Sequence, residues 1–446
     1  MFDFRKLSLP ISILLFQSAL PAAETPAETL RVEAEILGQA KANIEKMRKG
    51  DAEIVFTAVD GKPARLARVE VEQTGSDFLV GCIIFDLVRD ESPFRAERFK
   101  ERFKELFNFA VFPFYWAGYE DVQGMTRWRE MMPALEWCRA NGITAKGHPL
   151  VWTAPSGKPD WLANYSVPEQ LQFLESRVKN VVGGCAGRIE IWDVFNEAVN
   201  TRAWDDTTGD TWRPVPPATN ADLVEKAFRW AHRANPAATL ILNDYYVIAK
   251  EDTRERFYQL VKELLRRGTP ISGLGIQAHE PRQEWYPPRE VWKTFDRLGE
   301  FGLPLHITEF TPQSSGKPIT GGWRTGEWDR ELQADFTQQM FTLAFGHPAV
   351  VSFNFWGLSD RNSWLPEGGL IDDNYRPKPV YERMRKLLHE DFRTSLTVDN
   401  PEAGKVSFRG FFGAYRVTVT DRDGRVKAYE LHLRRDEENH WKFRLD

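Results

Sequence analysis

Between Phe78 and Phe355 eight short apolar runs alternate with longer amphipathic stretches, and this alternation limits the possible folds more than any other feature. The runs are Leu79–Ile84, Phe107–Phe112, Ile143–His148, Ile189–Phe195, Thr239–Asn243, Leu274–Ala278, Leu305–Glu309 and Val351–Phe355. Between them, Glu97–Leu106, Thr126–Asn141, Val167–Val182, Asp222–Ala234 and Thr253–Gly268 carry apolar residues at helical spacing. Strands that alternate with helices predict a parallel sheet covered by helices. Eight of them is the count of a (β/α)8 TIM barrel, an α/β fold. A doubly wound open sheet alternates in the same way, but no Gly-x-Gly-x-x-Gly follows the first run.

The flanks differ in character. Arg5 and Lys6 precede an apolar run from Leu7 to Phe16, and Leu20-Pro21-Ala22-Ala23 offers a small-residue cleavage site. This pattern predicts a signal peptide over residues 1–23 and a secreted or periplasmic protein. The run is too short for the roughly 20 residues of a membrane span. Glu33–Lys49 is helical in spacing, and Ala52–Val59 and Ala67–Glu72 alternate on either side of Asp60-Gly61. These features predict a helix and a β-hairpin in a β-rich module over residues 24–77. The barrel is expected over residues 78–391, closing with a helix near Pro379–His389. After it, Val406–Gly410, Tyr415–Thr420 and Tyr429–Leu433 alternate again, with a turn at Asp421–Gly424. They predict an antiparallel β module over residues 392–446 that covers the barrel, since no aromatic row marks it as a sugar-binding face.

The net charge of −5, with both signs interspersed over 446 residues, argues against a nucleic-acid partner. Sixteen tryptophans exceed what core packing needs and suit stacking on flat apolar ligand faces such as those of sugar rings. Cys82, Cys138 and Cys185 lie in apolar or small-residue contexts without metal-ligand spacing, and are expected as buried thiols.

Two of the eight runs end on a carboxylate: Trp192-Asp193-Val194-Phe195-Asn196-Glu197 and His306-Ile307-Thr308-Glu309. An unpaired buried charge is costly, so a strand core gives no reason for this ending. The C-terminal tip of a barrel strand does, because catalytic groups sit there. Other tips carry His148 and Trp152, Asn243-Asp244-Tyr245, Gln277 and His279, and Trp356. Singly, each has a bland alternative: Asn196 as a helix cap, Asp193 as a hydrogen-bonded buried acid, His148, His279 or Trp364 as structural residues.

Together the motifs resemble glycoside hydrolase family 10, whose best-known members are endo-β-1,4-xylanases. The matching segments are Gly147-His148-x-Leu150-Val151-Trp152, Trp192-Asp193-Val194-x-Asn196-Glu197-Ala198, Asn243-Asp244-Tyr245, Gly275–His279 and Ile307-Thr308-Glu309. Phe355-Trp356-Gly357-x-x-Asp360 with Ser363-Trp364 and Asp373-x-Tyr375-x-Pro377-Lys378-Pro379 follow. The resemblance covers roughly Phe78 to His389. It implies a polysaccharide substrate, a retaining mechanism and no cofactor or metal. Glu309 is implied as nucleophile and Glu197 as acid–base, with carboxyls about 5–5.5 Å apart. It further implies that Asn196 holds the 2-hydroxyl and that Gln277 and His279 orient Glu309 and the sugar. His148 is to bond a sugar hydroxyl, and Trp152, Trp356 and Trp364 are to wall the subsite.

The chain departs from the family pattern after the second run. Where family xylanases have Thr-Glu-Asn-x-x-Lys-Trp, with Asn and Lys on sugar hydroxyls, this chain has Ala110-Val111-Phe112-Pro113-Phe114-Tyr115-Trp116. Phe112 and Tyr115 occupy the Asn and Lys positions, which makes Tyr115 a substrate-binding candidate. Thr153 stands for a His and Thr311 for an Asp that supports the histidine beside the nucleophile. The expectation is therefore a monomeric, retaining endo-β-glycanase acting on xylan or on another β-glycan. A carbohydrate-binding pseudoenzyme is the alternative from another class. A metal-dependent hydrolase is disfavoured, because His148 and His279 lack a clustered set of further ligands.

Overall fold

A computed structural model describes residues 26–89, 92–279, 285–320 and 324–445. The signal peptide expected over residues 1–23 lies outside these described residues. In chain order the strands are β1 (Lys49–Thr57), β2 (Leu66–Gln73), β3 (Leu79–Ile83), β4 (Phe109–Pro113), β5 (Thr144–His148), the two-residue β6 (Val151–Trp152), β7 (Ile191–Asn196), β8 (Thr239–Asp244), β9 (Gly273–Ile276), β10 (Leu305–Phe310), β11 (Val350–Phe355), β12 (Ser395–Asp399), β13 (Lys405–Phe411), β14 (Gly413–Asp421), β15 (Val426–Leu433) and β16 (His440–Arg444).

All eight expected runs form barrel strands. The parallel order β5-β4-β3-β11-β10-β9-β8-β7 closes on itself where Lys146 and Gly147 of β5 pair with Ile191 and Trp192 of β7. Inside this closure a Cβ on Gly147 would lie 2.0 Å from the Trp192 indole, so only glycine lets the ring fill the barrel. The outer helices follow local rules. Val167–Gly184 begins with a capping box between Ser166 and Glu169 and turns Leu174, Val178, Val181 and Val182 to the core. Arg330–Gly346 is capped by Asp329, whose carboxylate accepts from the Leu332 amide at 2.8 Å. Cys82, Cys138 and Cys185 are free and buried.

The hairpin expected from Ala52–Val59 and Ala67–Glu72 does not form. The chain does reverse, with the Ala58 amide donating to the Lys62 carbonyl at 2.8 Å and Ala64 to Phe56 at 2.9 Å. It then crosses to a second layer. β1 lies between β13 (antiparallel) and β16 (parallel), while β2 lies between β12 and β14 in a four-stranded antiparallel sheet. Each strand has one apolar face, and the faces meet across the layers: Ile54 and Phe56 from one, Val69, Val71 and Val417 from the other. Two alternating strands bury more apolar area face to face than edge to edge. The segments on either side of the barrel thus complete one sandwich with a single core. Arg48 fixes it beneath the barrel by donating to the carbonyls of Phe345, His347 and Val350 at 2.7–2.9 Å, where β11 begins. The opposite end, with the strand C-termini, stays open.

Candidate active site

At the open end a cavity of about 500 Å³ is lined by Asn196, Glu197, Gln277, His279 and Glu309, with Tyr115, Trp152, Trp356 and Trp364 as walls and Trp212, Tyr245 and Tyr246 completing it. The two glutamates are at the tips of β7 and β10 and are buried. Glu197 has a left-handed backbone (φ 62°), unusual for a residue with a side chain, and Ala278 has φ 57°. Such conformations persist only where surrounding bonds enforce them. Here the Glu197 amide donates to the Asn243 carbonyl at 2.8 Å and the Glu309 amide to Gln277 at 3.0 Å.

Each carboxyl has its own set of donors. Trp152 Nε1 donates to Glu197 Oε2 at 2.8 Å, while Gln277 Nε2 and Asn196 Nδ2 reach Oε1 at 3.1 and 3.2 Å. Asn243 Nδ2 donates to Glu309 Oε1 at 2.7 Å and to Asn196 Oδ1 at 2.8 Å. Thr308 Oγ1 in turn donates to Asn243 Oδ1 at 2.7 Å and fixes the orientation of that amide. Burial pushes both carboxyls up, Glu197 to about 8 and Glu309 to about 7. Glu197 is raised further by the neighbouring Asp244 and Glu309, whereas His148 pulls Glu309 down. Both carboxyls therefore hold a proton to higher pH than an exposed glutamate does, and each raises the other by its negative charge. Asp244 is itself pushed up to about 7 by burial, and accepts from the Val199 amide at 2.9 Å and Asn200 Nδ2 at 2.7 Å. It thereby ties down the loop that leaves Glu197.

His279 bridges Glu309 and the aromatic wall. Its Nε2 is 2.8 Å from Glu309 Oε2, and its Nδ1 is 2.9 Å from Thr311 Oγ1 and 3.1 Å from Trp364 Nε1. The Trp364 indole N–H lies between Nδ1 and Thr311 Oγ1, 3.2 Å from the latter, so the three groups form one hydrogen-bonded cluster behind the carboxyl. Thr311 thus stands beside Nδ1 in the place of an acid. Thr153 likewise finds a substitute partner. It donates to Thr201 Oγ1 at 2.7 Å, and Thr201 holds the Glu197 carbonyl at 2.7 Å.

The cavity brings together nine of the ten residues that the sequence singled out. The tenth, His148, is fully buried just behind the cavity lining, and its Nε2 has no hydrogen-bond partner. Its ring packs behind Tyr115 at 5.4 Å and Trp356 at 4.8 Å. Its Nδ1 is 2.7 Å from Asp193 Oδ2, which also pairs with Lys146 Nζ at 2.7 Å. Burial alone would raise Asp193, but Lys146 and His148 hold it below the usual carboxylate range. Phe112, on β4, is also fully buried, so of the two departures at and after β4 only Tyr115 reaches the cavity. Trp212, Tyr246 and the bridging role of Asn243 were missed. Trp212 lies in an irregular loop without periodicity, and only its exposure (48%) beside Trp152, with centroids 6.4 Å apart, marks it as a platform. Among the described residues, no group of three or more His, Cys, Asp or Glu side chains could hold a metal ion.

Glycosyl hydrolase family 10 matches residues 90–387. Endo-1,4-beta-xylanase B of Thermotoga neapolitana is 34% identical over 271 residues, covering 58% of this chain and 73% of that protein. Anti-sigma-I factor RsgI6 of Acetivibrio thermocellus is 27% identical over 404 residues, 90% of this chain but 48% of its own length. Among solved structures, xylanase 10B from Thermotoga maritima superposes with a TM-score of 0.59 at 29% identity, covering 71% of this chain and 96% of that one.

Proposed function

Because the chain belongs to glycosyl hydrolase family 10 and is thereby a glycoside hydrolase, we propose that it is a retaining endo-β-1,4-xylanase, secreted or periplasmic and active as a monomer. The observation that carries this reading is the pair of buried strand-tip carboxyls, each held by its own set of donors. The similarity to named endo-1,4-beta-xylanases supplies the polysaccharide. Export rests on the charged and apolar pattern of residues 1–23. No helix among the described residues is long and apolar enough to cross a membrane.

In the first half-reaction the Glu309 carboxylate attacks the anomeric carbon as the C1–O bond to the leaving sugar breaks, and the Glu197 proton passes to the departing oxygen. In the second, the Glu197 carboxylate takes a proton from water, the water oxygen attacks C1, and Glu309 leaves as a carboxylate. Asn196, held by Asn243, presents its amide towards the 2-hydroxyl, a contact that strengthens as charge develops at C1. His279 Nε2–H steadies the Glu309 oxygen that does not attack.

The aromatic β4 tip favours a second substrate reading, in which the same chemistry acts on another β-glycan. Product analysis on a panel of xylan, other plant polysaccharides and marine β-glycans separates the two. Release of β-configured xylo-oligosaccharides from internal positions supports the xylanase. If xylan stays intact while another β-glycan is cut, the substrate is wrong and the mechanism stands. If no glycan or activated aryl glycoside is cleaved, the protein is a binding module.

A further inference from the structure

Lys146 is fully buried inside the barrel and does not line the catalytic cavity. It precedes His148 by two residues on β5, so the two side chains leave the same face of that strand. Its Nζ pairs with Asp193 Oδ2 at 2.7 Å, and among the described residues it makes no further hydrogen bond. Stability does not call for such a pair. A buried ion pair gains little over well-packed apolar side chains, and loss of either member strands a charge.

The reason lies beyond Asp193. His148 Nδ1 is 2.7 Å from Asp193 Oδ2 and 3.7 Å from Glu309 Oε1, so one imidazole nitrogen stands between two buried carboxyls. Without a cation, the core behind the cavity would hold two acids, and like charges in one site keep one of them protonated. The other groups facing this set do not supply that cation. On β10, burial and the nearby Lys146 push His306 down to about 3, so its imidazole is neutral. Ser352 of β11 bonds to that imidazole, and β8 offers Glu309 the amide of Asn243. His279 meets the other Glu309 oxygen, Oε2, at 2.8 Å. Glu197 and its neighbour Asp244 are further acids. Burial raises Glu309 most; His148 and Lys146 oppose that rise and Asp193 adds to it.

We propose that Lys146 is a positioning residue for the nucleophile: by neutralising Asp193, it leaves the Glu309 carboxyl free to carry the negative charge that attack on the anomeric carbon requires. Lys146 touches no substrate and moves no proton; it acts through Asp193. The inference rests on the retaining hydrolase reading of Glu309.

Neutral substitutions on the two members test it. The readout is the acidic limb of kcat/KM on an aryl β-xylobioside, which follows ionisation of the attacking carboxyl. Lys146→Met leaves Asp193 as a bare anion and is expected to move that limb up by about one pH unit or more. Asp193→Asn keeps the cation and is expected to move it down by about as much. In the double variant the shifts are expected to cancel to within about half a unit, and Lys146→Arg should leave the limb in place. A lysine needed only for packing would lower kcat/KM at every pH, and removal of its partner would not restore the limb. If Lys146→Met does not fold, Asp193→Asn and the double variant decide, since only a charge effect gives a downward shift that the second change reverses. Shifts below about half a unit in every folded single variant that loses a charge would overturn the inference, as would shifts of one sign in both.

A 13C NMR titration of the Glu309 carboxyl in Glu197→Gln protein, assigned by its loss in Glu309→Gln, reads the same shifts without turnover. If the wild type cleaves no glycoside while these shifts appear, the hydrolase reading falls and the coupling of Lys146 to Glu309 stands. A Glu309 resonance that titrates unchanged in the Lys146 and Asp193 variants of a working glycosidase sinks the coupling alone.

Discussion

The two sides of the catalytic cavity are built on different principles. From β7 to β10, Asn196, Glu197, Asn243, Gln277, His279 and Glu309 form a closed hydrogen-bonded set in which almost every contact lies between 2.7 and 3.2 Å. From β4 to β11, Tyr115 and Trp356 meet their neighbours through ring contacts of 4.8–6.2 Å, and Trp364, at the seam of the two sides, adds a ring contact of 4.7 Å to its indole hydrogen bonds. A proton transfer and an in-line attack tolerate little displacement, so the first side needs directional bonds. Sugar recognition by stacking tolerates more, so the second side can change residue type without losing the reaction. The positions where the chain departs from the family pattern fit this division. Tyr115 alters the aromatic wall, while Thr153 and Thr311, near the polar set, each find a substitute hydrogen-bond partner.

The largest expected effect breaks the polar side directly. Glu309→Ala is expected to lower kcat by at least about 10⁴-fold on any substrate. Glu197→Ala should cost about 10²–10⁴-fold on xylan, and far less for the first step with an activated aryl glycoside, whose leaving group needs no proton. Steady-state and burst kinetics on both substrates check the assignment; equal losses for Glu197→Ala on the two substrates contradict its role as the acid.

A smaller effect is expected at Asn243, which touches no substrate but holds both Glu309 and Asn196. Asn243→Ala should reduce kcat by about 10–100-fold with little change in KM, because the attacking carboxylate and the amide that faces the 2-hydroxyl lose their shared anchor. A KM effect without a kcat effect would place Asn243 on the sugar instead.

The smallest effect concerns stability. Glu197 and Glu309 have folded-state pKa values raised to about 8 and about 7. The stability that their protonated forms contribute is complete below the unfolded value of about 4.3, and it is lost progressively as pH rises through the folded values. Glu197→Gln is therefore expected to raise Tm at pH 8, by about 1–3 kcal/mol of stability, and to leave it nearly unchanged at pH 4. The same carboxyls predict a bell-shaped pH dependence of kcat/KM, with both limbs displaced upward from the ordinary carboxylate range. Tyr115→Ala, by contrast, should leave the shape of that profile unaltered. A Tm gain of equal size at pH 4 and pH 8 would exclude the ionisation argument.

Much of the polar side was legible in the chain because β-strand tips are short and contiguous. A motif such as Trp192–Glu197 fixes which residue ends the strand, and the barrel fixes where strand ends go. The surroundings of His148 were not legible for a related reason. Its motif position puts it at a strand tip, but side-chain direction depends on what the neighbours occupy, and here Tyr115 and Trp356 cover it while Asp193 draws its Nδ1 inward. Trp212 was illegible because a loop residue's place depends on the whole path of residues 201–217.

The sequence by itself determined the barrel, the two glutamates and the order in which strand ends deliver them, since these depend on local periodicity and on an architecture with a fixed catalytic end. Tertiary structure alone decided which strands pair at the flanks. β1 and β2 have the same alternation that a hairpin would have, and only the distant strands β12 to β16 supply the edges that separate them into two layers. It also decided the proton affinities of Glu197 and Glu309, because burial and the approach of charges from other strands set those values and neither is written in the residues adjacent along the chain.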